Sequence, residues 1–114
     1  MSTRLEATPV AAPHLSVEEL ARLHRQLIDE HVAQQTRAVE LQDPLDLEPD
    51  LAEVLLDRCH EALEEIEEAL RRFDEGAYGL CVFCGAAIRY ERLEALPAAR
   101  HCVSCRSGRH RDPR

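Results

Sequence analysis

Two long stretches of this chain repeat apolar side chains at helical spacing, and a short cysteine-rich stretch follows them. In the first, Val17, Leu20, Ala21, Leu27, Ile28 and Ala38 recur on one face, with His24, His31, Gln34 and Gln35 filling the stripe. That period predicts an amphipathic helix from Val17 to about Leu41. Ser16-Val17-Glu18-Glu19 has the form of a capping box, in which the Ser16 hydroxyl accepts from the Glu19 amide and Glu19 reaches back to Ser16. Leu15 and Leu20 flank the box as a hydrophobic staple. Asp43-Pro44 ends the helix, because Pro44 pushes Asp43 away from helical angles and supplies no amide.

A second box form, Asp50-Leu51-Ala52-Glu53 after Pro49, opens the next stretch. Its stripe is Ala52, Leu55, Leu56, Cys59, Ala62, Leu63, Ile66, Ala69, Leu70 and Phe73, a heptad seam, and Gly76 is a natural C-cap. Glu61, Glu64, Glu65, Glu67 and Glu68 form a solvated acidic face. Folding the chain back at about Leu45 pairs Val17 with Phe73, Leu20 with Leu70, Leu27 with Leu63 and Ile28 with Ala62. The same register sets Cys59 opposite His31, with His60 adjacent. The expected fold is mostly α, an antiparallel coiled-coil hairpin with a C-terminal four-Cys zinc finger. Its parts are a mobile leader over 1–15, a hairpin over 16–76 with its tip near 42–49, a finger over 77–106 and a basic tail over 107–114.

Composition explains why such a hairpin needs a finger. The chain has 114 residues, no Trp and only 4% aromatics, so it buries little surface and calls for a staple such as a metal. It is too short for a dinucleotide-binding or barrel enzyme, and no nucleophile motif stands out. Its 14 basic residues are all Arg, which excludes lysine Schiff-base chemistry. The net charge of −8 disfavours a protein whose main task is gripping a phosphate backbone. Met1 to Pro13 lacks the apolar run of a signal peptide, and no segment reads as membrane-spanning. A cytoplasmic chain is expected, with its cysteines reduced or metal-bound.

Cys81-Val82-Phe83-Cys84 and Cys102-Val103-Ser104-Cys105 are separated by 17 residues. This is the spacing of a four-thiolate zinc site, with Gly85 permitting the tight turn of the first knuckle. Four thiolates leave no open position, so a single zinc held by Cys81, Cys84, Cys102 and Cys105 is expected to be structural. Between the knuckles, Glu91 to Leu96 can form one or two helical turns before Pro97. The tail from Arg106 to Arg114 holds four Arg against one Asp.

Glu75-Gly76-Ala77-Tyr78-Gly79-Leu80-Cys81, Arg92-Leu93-Glu94-Ala95-Leu96-Pro97 and Cys102-Val103-Ser104-Cys105 resemble the DksA/TraR C4-type zinc-finger family, over about Asp43 to Arg106. The resemblance implies a bacterial transcription regulator that binds RNA polymerase without touching DNA. The hairpin would enter the secondary channel and the finger would dock outside it. It also implies that tip acids act near the catalytic centre. The family's Asp-x-x-Asp-x-Ala pattern falls on Asp43, Asp46 and Glu48, where Glu replaces Ala. Arg58 takes the place of an Arg that supports action on polymerase, and the second arm is at least one turn shorter than in the best-known member. Of the cations that bind guanosine tetraphosphate in that member, Glu65 and Leu96 replace two, and Arg106 keeps one. Tight binding of that nucleotide is therefore not expected. Two other readings remain, a nucleic-acid-binding zinc ribbon using the Arg tail, and an adaptor that keeps the scaffold without tip function.

Overall fold

The computed structural model describes residues 13–106; residues 1–12 of the expected leader and the basic tail over 107–114 lie outside the described residues. Helix α1 spans Val17–Leu41 and helix α2 Pro49–Glu75, and the two pack along their length as a hairpin. At about 1.5 Å per residue each is roughly 40 Å long. Two short helices complete the finger, α3 at Tyr90–Ala95 and α4 at Val103–Arg106.

The starts and stops follow local chemistry. Ser16 caps α1 in a complete box, its Oγ accepting from the Glu19 amide at 2.9 Å while Glu19 Oε1 accepts from the Ser16 amide at 3.0 Å. The second box does not form. Glu48 is the N-cap of α2 and makes no side-chain cap bond, because Pro49 already occupies the first helical turn and moves Asp50 inside the helix. There Asp50 faces the positive end of the helix dipole instead. Gly76 ends α2 at φ +76°, a left-handed angle that a side chain would strain.

The helices pair one heptad away from the register read off the sequence. Phe73 meets His24 edge-on at 5.0 Å rather than Val17, and Cys59 packs with Ala38 and Leu41 rather than His31. His31 instead bonds Glu67 at 3.0 Å. Val17 is 77% exposed and Ile28 also faces solvent, whereas Leu23, absent from the expected stripe, is fully buried beside Leu27. A seam that repeats every heptad looks the same after a slip of one heptad, so the stripes alone do not choose. The finger chooses. Its core residues Tyr78, Ile88 and Leu93 cluster with Leu15, Leu23, Leu27, Ile66 and Ala69, so the start of α1 is drawn down onto the finger.

That joint cluster is the larger core. A smaller one of Ala38, Leu41 and Cys59 lies toward the bend, and Leu47 folds back from the connecting loop to pack on it with Leu55 and Leu56. Tyr78 stacks on Phe73 at 4.0 Å, and its hydroxyl donates to Pro97 O at 2.8 Å, tying the end of α2 to the finger. No described helix is long and apolar enough to cross a membrane.

Candidate metal centre and hairpin tip

The first knuckle turns on backbone bonds that place two sulfurs side by side. Gly85 N–H donates to Cys81 O at 2.9 Å and Cys81 N–H to Ala86 O at 2.8 Å, closing a loop that Gly85 completes at φ +81°. An added Cβ at Gly85 would meet nothing, so glycine is there for its backbone angle alone. The second knuckle is the entry to α4, where Arg106 N–H donates to Cys102 O at 2.9 Å.

The sulfurs of Cys81, Cys84, Cys102 and Cys105 all lie within 4.8 Å of one another, and those of Cys84 and Cys102 are 3.7 Å apart. Four sulfurs at ~2.3 Å from one tetrahedral ion would stand about 3.8 Å apart. The donor set and its spacing therefore fit zinc. Amides point at the sulfurs as well, with Phe83 N–H donating to Cys81 Sγ at 3.4 Å and Cys105 N–H to Cys102 Sγ at 3.5 Å. Burial works against ionising Cys81, yet bonds from the Cys84, Cys102 and Phe83 backbones and the Cys105 side chain bring its pKa down to about 6. Burial, then the neighbouring sulfurs, push Cys105 the other way. Thiols packed this closely need a cation before all can be thiolates.

The finger is fastened to the hairpin by charge as well as by its core. Arg100 Nη1 donates to Glu68 Oε1 of α2 at 2.8 Å, and Glu68 Oε2 lies 3.6 Å from Arg72 Nη1. The sequence sets Glu68 on the solvated acidic face and singles out neither Arg72 nor Arg100. Glu68 is instead half-buried between Arg72 and Arg100, and nothing local signals that Arg72 is buried.

A cavity of about 610 Å³ opens between hairpin and finger. Glu65, Leu96 and Arg106 all line it, with Arg92, Arg100 and Glu30. Arg100 is engaged with Glu68, and Arg92 Nε donates to His101 O at 3.2 Å. At the far end, Asp43 and Asp46 are exposed on the loop between α1 and α2, beside Leu45 at 91% exposure. Arg58 is exposed on α2 next to buried Cys59. Among the described residues the four finger cysteines form the one group suited to holding a metal, so Cys59, His31 and His60 make no second centre.

With this geometry in view, the relatives are informative. Residues 76–111 match the prokaryotic dksA/traR C4-type zinc finger. An uncharacterized protein of Aquifex aeolicus (strain VF5) is 33% identical over 97 residues, covering 78% of this chain and 67% of that protein. The RNA polymerase-binding transcription factor DksA of Escherichia coli (strain K12) is 32% identical over 78 residues, 64% of this chain and 52% of that protein. The match thus spans about half the length of that DksA. The structure of transcription factor DksA2 from Pseudomonas aeruginosa superposes with a TM-score of 0.69 at 25% identity, over 97% of each chain. Zinc-finger sequence, hairpin fold and clustered cysteines agree: the chain belongs to the DksA/TraR C4-type zinc-finger family.

Proposed function

We propose that this protein is a DksA-like transcription regulator that binds RNA polymerase in the cytoplasm and does not bind DNA. The observation that carries the reading is a four-cysteine finger sharing one core with a hairpin that holds two exposed carboxylates at its opposite end. In this reading one structural zinc, held by Cys81, Cys84, Cys102 and Cys105, keeps the base rigid. The hairpin reaches into the secondary channel, Asp43 and Asp46 act near the catalytic centre, and Arg58 contacts polymerase along the arm. Charge counts for more inside a narrow, poorly solvated channel than in bulk water, so two carboxylates there perturb a metal or template strongly. Glu48, where the family pattern has Ala, caps α2 through its backbone, which leaves its carboxylate as a third acid near the tip.

Guanosine tetraphosphate is a poor fit to the cavity between hairpin and finger. Glu65 and Glu30 repel it from the hairpin wall, and Arg100 is already engaged with Glu68 on the finger side. No enzymatic role is proposed for any residue.

The test is binding of the full chain to its cognate core polymerase, with the lifetime of open complexes as the functional readout. The double variant Asp43→Asn/Asp46→Asn keeps size and turn-forming ability but removes two charges. It is expected to bind nearly as well as the parent and to lose most of the effect on transcription. Equal regulation by both proteins would leave the acids as turn residues. A salt-sensitive shift of DNA without polymerase binding would favour a nucleic-acid-binding ribbon instead.

A further inference from the structure

Residues 99–101 lead directly into Cys102, and three parts of the molecule grip their successive carbonyls. Ala99 O accepts from Arg72 Nη2 of α2 at 3.5 Å. Arg100 O accepts from the Val82 amide of the first knuckle at 2.8 Å. His101 O accepts from Arg92 Nε of α3 at 3.2 Å. The Arg100 side chain then returns to α2, where Glu68 stands between it and Arg72. This short segment is therefore fixed to the hairpin on one side and to the metal site on the other.

Arg72 is the unusual member. It is only 6% exposed, yet its Nε and Nη1 have no hydrogen-bond acceptor among the described residues, and Nη1 meets only the 3.6 Å ion pair with Glu68. A buried guanidinium with bonds unmade is costly, and it stays in place only while its surroundings hold it there. What holds it is Glu68 and the Ala99 carbonyl, which stands three residues before Cys102.

The geometry points to Arg72 and Glu68 as positioning residues for the metal centre, which couple retention of the ion to the state of α2. They fix segment 99–101 and so fix where Cys102 presents its sulfur. Coupling of this kind is reciprocal, so the bound ion in turn holds Arg72 in its seat and protects the last turns of α2. The inference rests on the zinc reading above. It extends that reading from the ligands to charged side chains of the hairpin, none of which binds the metal.

The test measures how fast the full-length zinc protein loses its metal to a chelating dye. Arg72→Met and Arg100→Gln, with all four cysteines intact, are expected to lose zinc about tenfold faster, the usual size of an effect from residues that orient metal ligands. Arg100 is partly exposed, so Arg100→Gln should fold even if Arg72→Met does not. Adding Glu68→Gln to Arg72→Met should change the rate little further, since both act through one node. Leu41→Ala, in the distant core, should lower thermal stability without altering zinc loss. Hydrogen exchange of the parent supplies the reciprocal reading, in which removing zinc should unprotect the end of α2 and spare the turns around Cys59. Zinc bound but released at parental rates from Arg72→Met and Arg100→Gln overturns the coupling alone, as does equal acceleration by Leu41→Ala. A parent that binds no zinc overturns both the coupling and the metal reading.

Discussion

Leu23 and Val17 show how a residue's place is set by what packs on it rather than by its own hydrophobicity. Both are aliphatic residues near the start of α1, yet Leu23 is fully buried in the core shared with the finger and Val17 projects into solvent. Truncating a buried leucine loses transfer free energy and leaves a cavity, so Leu23→Ala should cost about 2–5 kcal/mol. Val17→Ala should stay within about 0.5 kcal/mol, as surface changes do. Thermal or denaturant melts of the two variants check the contrast, and equal losses would restore Val17 to the seam. The cysteines were legible at this scale because their chemistry is carried by residue type and spacing. Leu23 was not, because several helical stripes can be drawn through a leucine-rich stretch.

At the scale of elements, the helices themselves were readable and their pairing was not. Ser16 with Glu19, and Gly76, mark ends by local bonds that need no partner element. Gly76→Ala should cost about 1 kcal/mol through strain at its positive φ, measured by chemical denaturation. The register of α1 on α2 was misplaced by one heptad because the seam is periodic and only the finger breaks the degeneracy. A crosslink separates the two registers. Ala38→Cys should form a disulfide with Cys59 under mild oxidation of the zinc-loaded protein, since the two residues share a core cluster, while His31→Cys should not. Bridging from position 31 and not from 38 would reinstate the register read from the stripes.

For the whole molecule, the decisive feature is that finger and hairpin bury the same core. Leu15, Leu23 and Leu27 of one part and Tyr78, Ile88 and Leu93 of the other leave each other exposed if separated. Removing zinc should therefore do more than unfold the residues from about Gly79 onward. It should lower the melting temperature of the chain and reduce helicity at the finger end of the hairpin, read by far-ultraviolet circular dichroism with and without chelator. Unchanged helicity after verified zinc loss would mean that the two parts fold independently. Rigidity of that joint also matters for the proposed function, since it aims a hairpin whose exposed carboxylates Asp43 and Asp46 lie at the opposite end.

The sequence alone determined the two helices, their capping at Ser16 and Gly76, the four-cysteine site and the family, because each rests on short-range spacing or on residue chemistry. Tertiary structure decided the register, the burial of Leu23 and Arg72, the fold of Leu47 onto the Cys59 cluster and the cavity that gathers Glu65, Leu96 and Arg106. These depend on contacts between residues far apart in the chain. A heptad seam is nearly unchanged when it slips by a heptad, and an Arg four residues after a Glu reads as surface whether or not a finger closes over it. The energy that breaks those ties comes from apolar side chains of the finger, whose position against α1 no local pattern records.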